Sequence, residues 1–130
     1  MQKKEQNRMD HLIQRLLEEE GIIAHGNPVF SYHYDFQNYV DKEIIMYRNQ
    51  DFPSLYVIEQ CPLFVKRIKK VLQKYLPENI LIAELIVEFT IDLHGNPTLA
   101  LPVSIEDMCF YDSYMGRRLS EEETENTHLF

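Results

Sequence analysis

Ser31, His33 and Asp35 have the side-chain types of a hydrolase triad. They alternate along "VFSYHYDF", a segment that predicts a strand and places all three side chains on one face. Residues two apart on a strand are separated by about 6.6–7 Å, which is beyond hydrogen-bond reach for side chains as short as serine and histidine. The G-x-S-x-G turn that exposes a nucleophilic serine is also missing. We therefore predict a polar strand face here and no catalytic residue.

A second row of polar residues lies on one face of the alternating segment "AELIVEFTIDLH", and its members are Glu84, Glu88, Asp92 and His94. These types suit general acid–base chemistry or a divalent metal, so a small enzyme or metal-binding protein that uses the 82–103 hairpin is one alternative. A single strand spreads its side chains along a line, however, whereas a metal needs ligands that converge. We therefore predict an acidic stripe that meets a basic protein partner, with no bound metal or cofactor.

The tetrapeptide HGNP occurs twice, at residues 25–28 and 94–97. Glycine and asparagine tolerate turn conformations and proline favours a following extended segment, so each copy predicts a turn. The flanking sequences do not repeat. A metal or proton site shared by His25 and His94 is the alternative; it would need His33 or Asp35 as a further ligand, and no metal-ligand spacing supports it.

The charge balance limits the classes of partner. The net charge of −8 argues against nucleic acid and anionic membranes, because phosphate binding needs a basic surface. The basic stretch "KRIKKVLQK" lacks the interleaved aromatic residues of nucleic-acid binders. No apolar run is long enough to span a membrane, and no signal peptide is recognisable. We expect a cytoplasmic protein in which Cys61 and Cys109 are reduced thiols.

The pattern of elements predicts an α+β fold in two layers. Apolar spacing indicates an amphipathic helix over 8–20 that ends at Gly21, and a long helix over 62–76 with Pro62 in its first turn. Strands are predicted at 29–36, in "DKEIIMYR" and "PSLYVIEQ", and in an antiparallel hairpin over 82–103. The sheet then has about four or five antiparallel strands packed against the long helix. The N-terminal helix packs beside it or forms a homodimer interface.

The apolar faces of the 82–103 hairpin predict how its two strands pair. Matching apolar faces pairs Ile91 with Leu99 and Phe89 with Leu101.

Residues 1–116 form the single predicted domain. Residues 117–130 carry a capping-box pattern at Ser120 and Glu123, but no apolar run follows it, so they are predicted to be an acidic, mobile tail.

An aromatic strand face supplies the predicted binding surface. Tyr32, Tyr34 and Phe36 alternate with the polar residues of the same strand and exceed what a small core needs to bury. We therefore predict a small non-catalytic protein that acts through protein contacts, as an adaptor or inhibitor of the kind that phages or mobile elements encode. The predicted partner-binding residues are Tyr32, Tyr34, Phe36, Glu84, Glu88 and Asp92.

Residues 58–103 resemble the carboxy-terminal domain of TonB-type energy transducers. In that family a helix precedes a strand, an acidic-Gly turn and a second strand, much like "VEFTIDLHGNPTLALPV" after the helix in this chain. The family's Tyr-Pro segment before the first strand, its membrane anchor and its Pro-rich spacer are missing. The resemblance implies a periplasmic domain that adds a strand to a partner's sheet, which requires a free edge at residues 97–104.

Overall fold

In the computed structural model, a five-stranded antiparallel sheet packs against helices, which confirms the α+β prediction. The structure describes residues 3–35, 44–47, 54–91 and 99–126. The sheet order is β2-β1-β3-β4-β5. The elements in chain order are α1 (Lys3–Glu19), β1 (Phe30–Asp35), β2 (Ile44–Tyr47), α2 (Leu55–Gln73), β3 (Ile80–Ile91), β4 (Ala100–Asp112), β5 (Arg117–Arg118) and α3 (Glu121–Asn126).

The helix α1 ends where the sequence predicts. Gly21 has a φ of 69°, a left-handed conformation that glycine adopts without a steric penalty. Ile13 and Leu17 from α1 enter the core, and the chain continues through residues 22–29 to β1. The first HGNP copy lies in this connection. Gly26 comes close to β3 and β4 there, because a Cβ atom at this position would lie 3.3 Å from Val103 Cγ1. The second copy falls outside the described residues.

The helix α2 begins earlier than predicted, and the strand predicted in "PSLYVIEQ" is wrong. Ser54 is the N-cap, and its Oγ accepts a hydrogen bond from Val57 N over 3.3 Å. Pro62 therefore lies inside the helix instead of in its first turn. The helix form prevails because it buries one continuous stripe against the sheet, formed by Val57, Cys61, Val65, Ile68 and Leu72.

The strand β3 lies at the centre of the sheet, between β1 and β4. Its alternation is confirmed: Leu85, Val87 and Phe89 are buried, whereas Glu84 and Ile86 are partly exposed. The predicted hairpin register is wrong, since Phe89 pairs with Pro102 and Ile91 with Ala100. The observed pairing is shifted by one residue on β4 relative to the prediction. The β3–β4 ladder also has three irregularities, and at the one between the pairs Glu88–Ser104 and Phe89–Pro102 the consecutive residues Pro102 and Val103 are both buried.

The core occupies the sheet face covered by α1 and α2. Phe30 stacks on Phe89 at a centroid distance of 5.4 Å, and Tyr32 meets Phe89 edge-on at 6.4 Å. Phe64 from α2 contacts the same ring at 6.0 Å. Aromatic residues of β1 therefore form the centre of the core.

The fold extends beyond the predicted boundary at residue 116. In β5, Arg118 pairs with Tyr111 and Arg117 with Asp112 of β4, and Leu119 is buried. The predicted capping box is present at the start of α3, where Glu123 N donates to Ser120 Oγ and Ser120 N to Glu123 Oε1. Residues 117–126 are thus part of the sheet and its flanking helix. Residues 127–130 lie outside the described residues.

Candidate functional site

The aromatic partner-binding surface predicted from the sequence is wrong. Tyr32 is 1% exposed and Tyr34 is 7% exposed, because both side chains point toward α2. Their alternation marks the core face of β1, and the hydrophobic gain from burying two such rings explains the placement. Phe36 of the predicted aromatic surface and Asp92 of the predicted acidic stripe lie outside the described residues.

The opposite sheet face brings together the two polar rows that the sequence shows separately. β1 and β3 are neighbours, and their register pairs Ser31 with Glu88, His33 with Ile86 and Asp35 with Glu84. Cross-strand partners lie on the same face, so the two rows form one surface, hereafter the polar face. Neighbouring strands thus supply the convergence that a single strand cannot provide.

Four side chains at one end of the polar face form a hydrogen-bonded group, hereafter the ion-pair cluster: His33, Asp35, Glu84 and Arg118. Arg118 Nη1 donates to Glu84 Oε2 over 2.8 Å, and its Nη2 donates to Asp35 Oδ1 over 2.9 Å. His33 Nε2 lies 2.9 Å from Glu84 Oε1. The relative solvent exposure of each of the four side chains is only 17–28%. The cluster is therefore a partly desolvated site on three strands, β1, β3 and β5.

Further along the polar face, two serine–carboxylate pairs continue the acidic surface. Ser31 Oγ donates to Glu106 Oε2 over 3.1 Å, and Ser104 Oγ donates to Glu88 Oε1 over the same distance. The sequence places Ser31 beside His33 and Asp35, but its hydroxyl is buried and bound to a carboxylate of β4.

The cluster has the donor set of a divalent-cation site. One ligand atom each from His33, Asp35 and Glu84 lies within 4.8 Å of the other two. Carboxylate oxygens and an imidazole nitrogen suit Mn²⁺ or Zn²⁺, and the carboxylates alone suit Mg²⁺. Arg118 already supplies a positive charge to both carboxylates. Burial opposes that charge, but the hydrogen bond and the charges of Glu84 and Asp35 outweigh it and raise the pKa of Arg118. A metal at this position must therefore replace the guanidinium on at least one carboxylate.

Cys109 lies beside the cluster, paired with Glu84 across the β3–β4 ladder. Burial raises the pKa of its thiol, and the nearby charges of Asp107 and Glu84 raise it further. A thiol acts as a nucleophile through its thiolate, so this environment argues against covalent chemistry at Cys109. The chemistry that the polar face favours is the binding of a cation or of a cation-bearing ligand.

Three residues of the polar face are not among those predicted from the sequence: Arg118, Glu106 and Ser104. A signal for Arg118 exists, because Arg117 and Arg118 are the only lysine or arginine residues after Lys74 in a strongly acidic stretch. Glu106 is the extra residue at an irregularity of the β3–β4 ladder, between the pairs Ile86–Asp107 and Val87–Ile105. From this position its side chain accepts the hydrogen bond of Ser31. No local sequence signal indicates that irregularity.

The edge required for strand addition is occupied at Pro102 and Val103. Pro102 O accepts a hydrogen bond from Ala24 N over 3.0 Å, and Val103 O accepts one from Gln14 Nε2 over 2.9 Å. The segment after α1 and a side chain of α1 thus cover this part of β4, which weighs against a partner strand adding there.

Comparison with known proteins yields a likeness of fold. No protein-family model matches the chain, and no curated protein matches it. A solved structure of a "SAICAR synthetase (Type-2) in complex with ADP" matches with a TM-score of 0.57 and 15% identity, covering 92% of this chain and 71% of that one. At this identity the likeness shows a shared fold and nothing about activity. The TonB resemblance stays a prediction. No helix among the described residues is long and apolar enough to cross a membrane.

Proposed function

We propose that this is a non-catalytic binding protein whose ion-pair cluster binds a phosphate-bearing ligand of the adenine-nucleotide class together with a divalent cation. The observation that carries the proposal is the convergence of His33, Asp35 and Glu84, whose ligand atoms lie within 4.8 Å of one another. These residues come from two adjacent strands that the core holds rigidly from the other side. The position of the donors is therefore fixed before a ligand arrives.

The carboxylates of the polar face favour a cation. Asp35, Glu84, Glu88 and Glu106 lie on this face, and Asp35 and Glu84 share the guanidinium of Arg118. A phosphate alone would be repelled by this surface, whereas a divalent ion can bridge carboxylates to phosphate oxygens. The solved protein of similar fold holds ADP, and this is why we choose a nucleotide as the ligand class.

Binding would exchange the partners of Arg118. Without ligand, the guanidinium donates hydrogen bonds to both Glu84 and Asp35. With ligand, the divalent ion takes over these carboxylates and Arg118 turns to a phosphate oxygen. Each of these charged groups keeps a partner of opposite charge in this scheme, so the exchange leaves none of them unpaired. Arg118 Nε supports this scheme, since it is buried without a hydrogen-bond partner among the described residues.

Partial burial of the carboxylates distinguishes this proposal from the basic protein partner predicted from the sequence. Glu84 retains 19% of its side-chain exposure, and Glu88 is also partly buried. A flat protein surface reaches such groups poorly, whereas an ion and a phosphate reach them well. Contact with a basic protein stays a prediction for this face.

The test is calorimetric titration of the folded chain with Mn²⁺ alone, with ADP plus Mg²⁺ and with ADP plus a chelator. We expect ADP to bind only with the cation present. Glu84→Gln, which keeps the side-chain shape, should weaken binding about tenfold or more, because it removes a charged ligand. Glu123→Gln is the matched control, because it breaks an arginine–carboxylate pair outside the cluster and should leave binding unchanged.

Arg118→Gln separates a binding role from a structural one. Removing the internal cation should strengthen Mn²⁺ binding, whereas loss of an ordinary structural ion pair would weaken it or have no effect. If neither Mn²⁺ nor ADP with Mg²⁺ binds to the folded wild-type chain, the proposal is wrong and the basic-partner prediction takes its place.

A further inference from the structure

A cleft of 360 Å³ opens between α2 and β1, on the helix-covered side of the sheet. Its walls are apolar at one end and cationic at the other. The lining residues are Tyr32, Tyr34, Pro62, Leu63, Val65, Lys66 and Lys69. The volume lies within the range of small-molecule sites, near its lower end. It matches a ligand with one ring and one charged group.

The cationic end of the cleft is built around Tyr34. Lys69 Nζ donates to Tyr34 Oη over 2.5 Å and lies 4.1 Å from the centroid of its ring. This pairing holds the ammonium group at the cleft wall. The hydroxyl hydrogen of Tyr34 has no acceptor among the residues that the structure describes, so it is left to donate to a ligand.

The positive charge at the cleft is not neutralised within the described part of the chain. No carboxylate there lies within ion-pair distance of Lys66 or Lys69. Lys66 is exposed at the mouth, and Lys69 is partly buried further in. In a protein of net charge −8, two lysines without a carboxylate partner among the described residues and a phenol at one cleft make a local site for an anion.

We infer that the cleft binds a small organic anion, a carboxylate or phosphate attached to a ring. Lys66, Lys69 and the Tyr34 hydroxyl hold the charged group, and Leu63 and Val65 pack against the ring. The inference is independent of the proposed function. The ion-pair cluster lies on the other face of the sheet, carries the opposite charge and shares no residue with the cleft.

The test is an NMR titration of the methyl groups with phenyl phosphate as the probe, in a buffer without divalent cations. We expect the Leu63 and Val65 resonances to shift in a saturable way. Benzyl alcohol has a similar ring without the charge and should shift them far less. Lys66→Gln should weaken binding about tenfold, because it removes one charge-assisted hydrogen bond.

Lys70→Gln is the matched control, because Lys70 is an exposed lysine of the same helix that does not line the cleft. It should change the affinity by less than about twofold, since water and salt screen an exposed charge. Unshifted Leu63 and Val65 resonances would overturn the inference, and so would equal losses in the two variants. Glu84→Gln should leave this titration unchanged, which separates its outcome from that of the nucleotide titration.

Discussion

Of the four residues in the ion-pair cluster, Arg118 lies on the shortest strand. Glu84 lies on β3, which is paired on both sides, and Asp35 and His33 lie on β1, which is also paired on both sides. Arg118 belongs to a two-residue strand that pairs only with Tyr111 and Asp112. Any exchange of partners between a guanidinium and a metal ion therefore requires movement of Arg118 and leaves the carboxylates in place.

The pKa of the Glu123 carboxyl group reports on its ion pair with Arg117 of β5. The hydrogen bond from Arg117, together with the Ser120 backbone amide, lowers the pKa of Glu123 from 4.5 to about 2. A depressed folded-state pKa stabilises the fold above pH 4.5, and this contribution is lost as the pH falls from 4.5 to about 2. Carboxyl NMR should show a Glu123 midpoint near 2, and Arg117→Gln should raise it. An ordinary midpoint in the wild-type chain would contradict the bidentate pair.

At the scale of elements, α2 shows where sequence patterns mislead. Its first turns contain Val57 and Ile58, β-branched residues that favour strands, and Pro62 has the signature of a helix start. The helical spacing of the buried residues from Val57 to Leu72 crosses that proline without a break. Burial of the whole stripe outweighs local propensity, and only the packing of α2 on the sheet reveals this.

Pro62 should weaken α2, and its removal tests that cost. Proline provides no amide hydrogen for the carbonyl of Ile58, one helical turn earlier. Pro62→Ala should raise the free energy of unfolding by about 1–3 kcal/mol in urea denaturation. Leu63→Ala, at an exposed neighbouring position, should change it by less than about 0.5 kcal/mol. A loss of stability in Pro62→Ala would mean that packing of the ring at the cleft outweighs the missing hydrogen bond.

The β3–β4 hairpin was predictable in kind but not in register. The alternation from Ile80 to Ile91 predicts a half-buried strand, and the structure has one. Ile91 pairs with Ala100 instead of Leu99, so that Leu99 is 39% exposed and Ala100 is buried, and three irregularities interrupt the rest of the ladder. Pro102 signals one of these irregularities, because proline cannot donate a hydrogen bond to the ladder. The other two depend on how both strands twist against the helices, and no residue type marks them in advance.

At the scale of the whole molecule, the sheet separates the two proposed binding sites by face. The helix-covered face holds the core and the cationic cleft, and the other face holds the acidic rows. The sequence predicts each row, Ser31–His33–Asp35 and Glu84–Glu88, but not that β1 and β3 are adjacent and in register. Strand order is set by long-range packing, so the candidate site emerges only when the chain is folded.

The division between the faces predicts unequal responses to two adjacent substitutions in β3. Leu85 is fully buried against the helices, so Leu85→Ala should lower the free energy of unfolding by about 2–5 kcal/mol. Ile86 is partly exposed on the polar face, opposite His33. Ile86→Ala should therefore lower the free energy of unfolding by less than about half the amount expected for Leu85→Ala. Urea denaturation of both variants measures the ratio. Equal losses would mean that the polar face is itself packed in a core, and a face closed in that way could not admit a nucleotide.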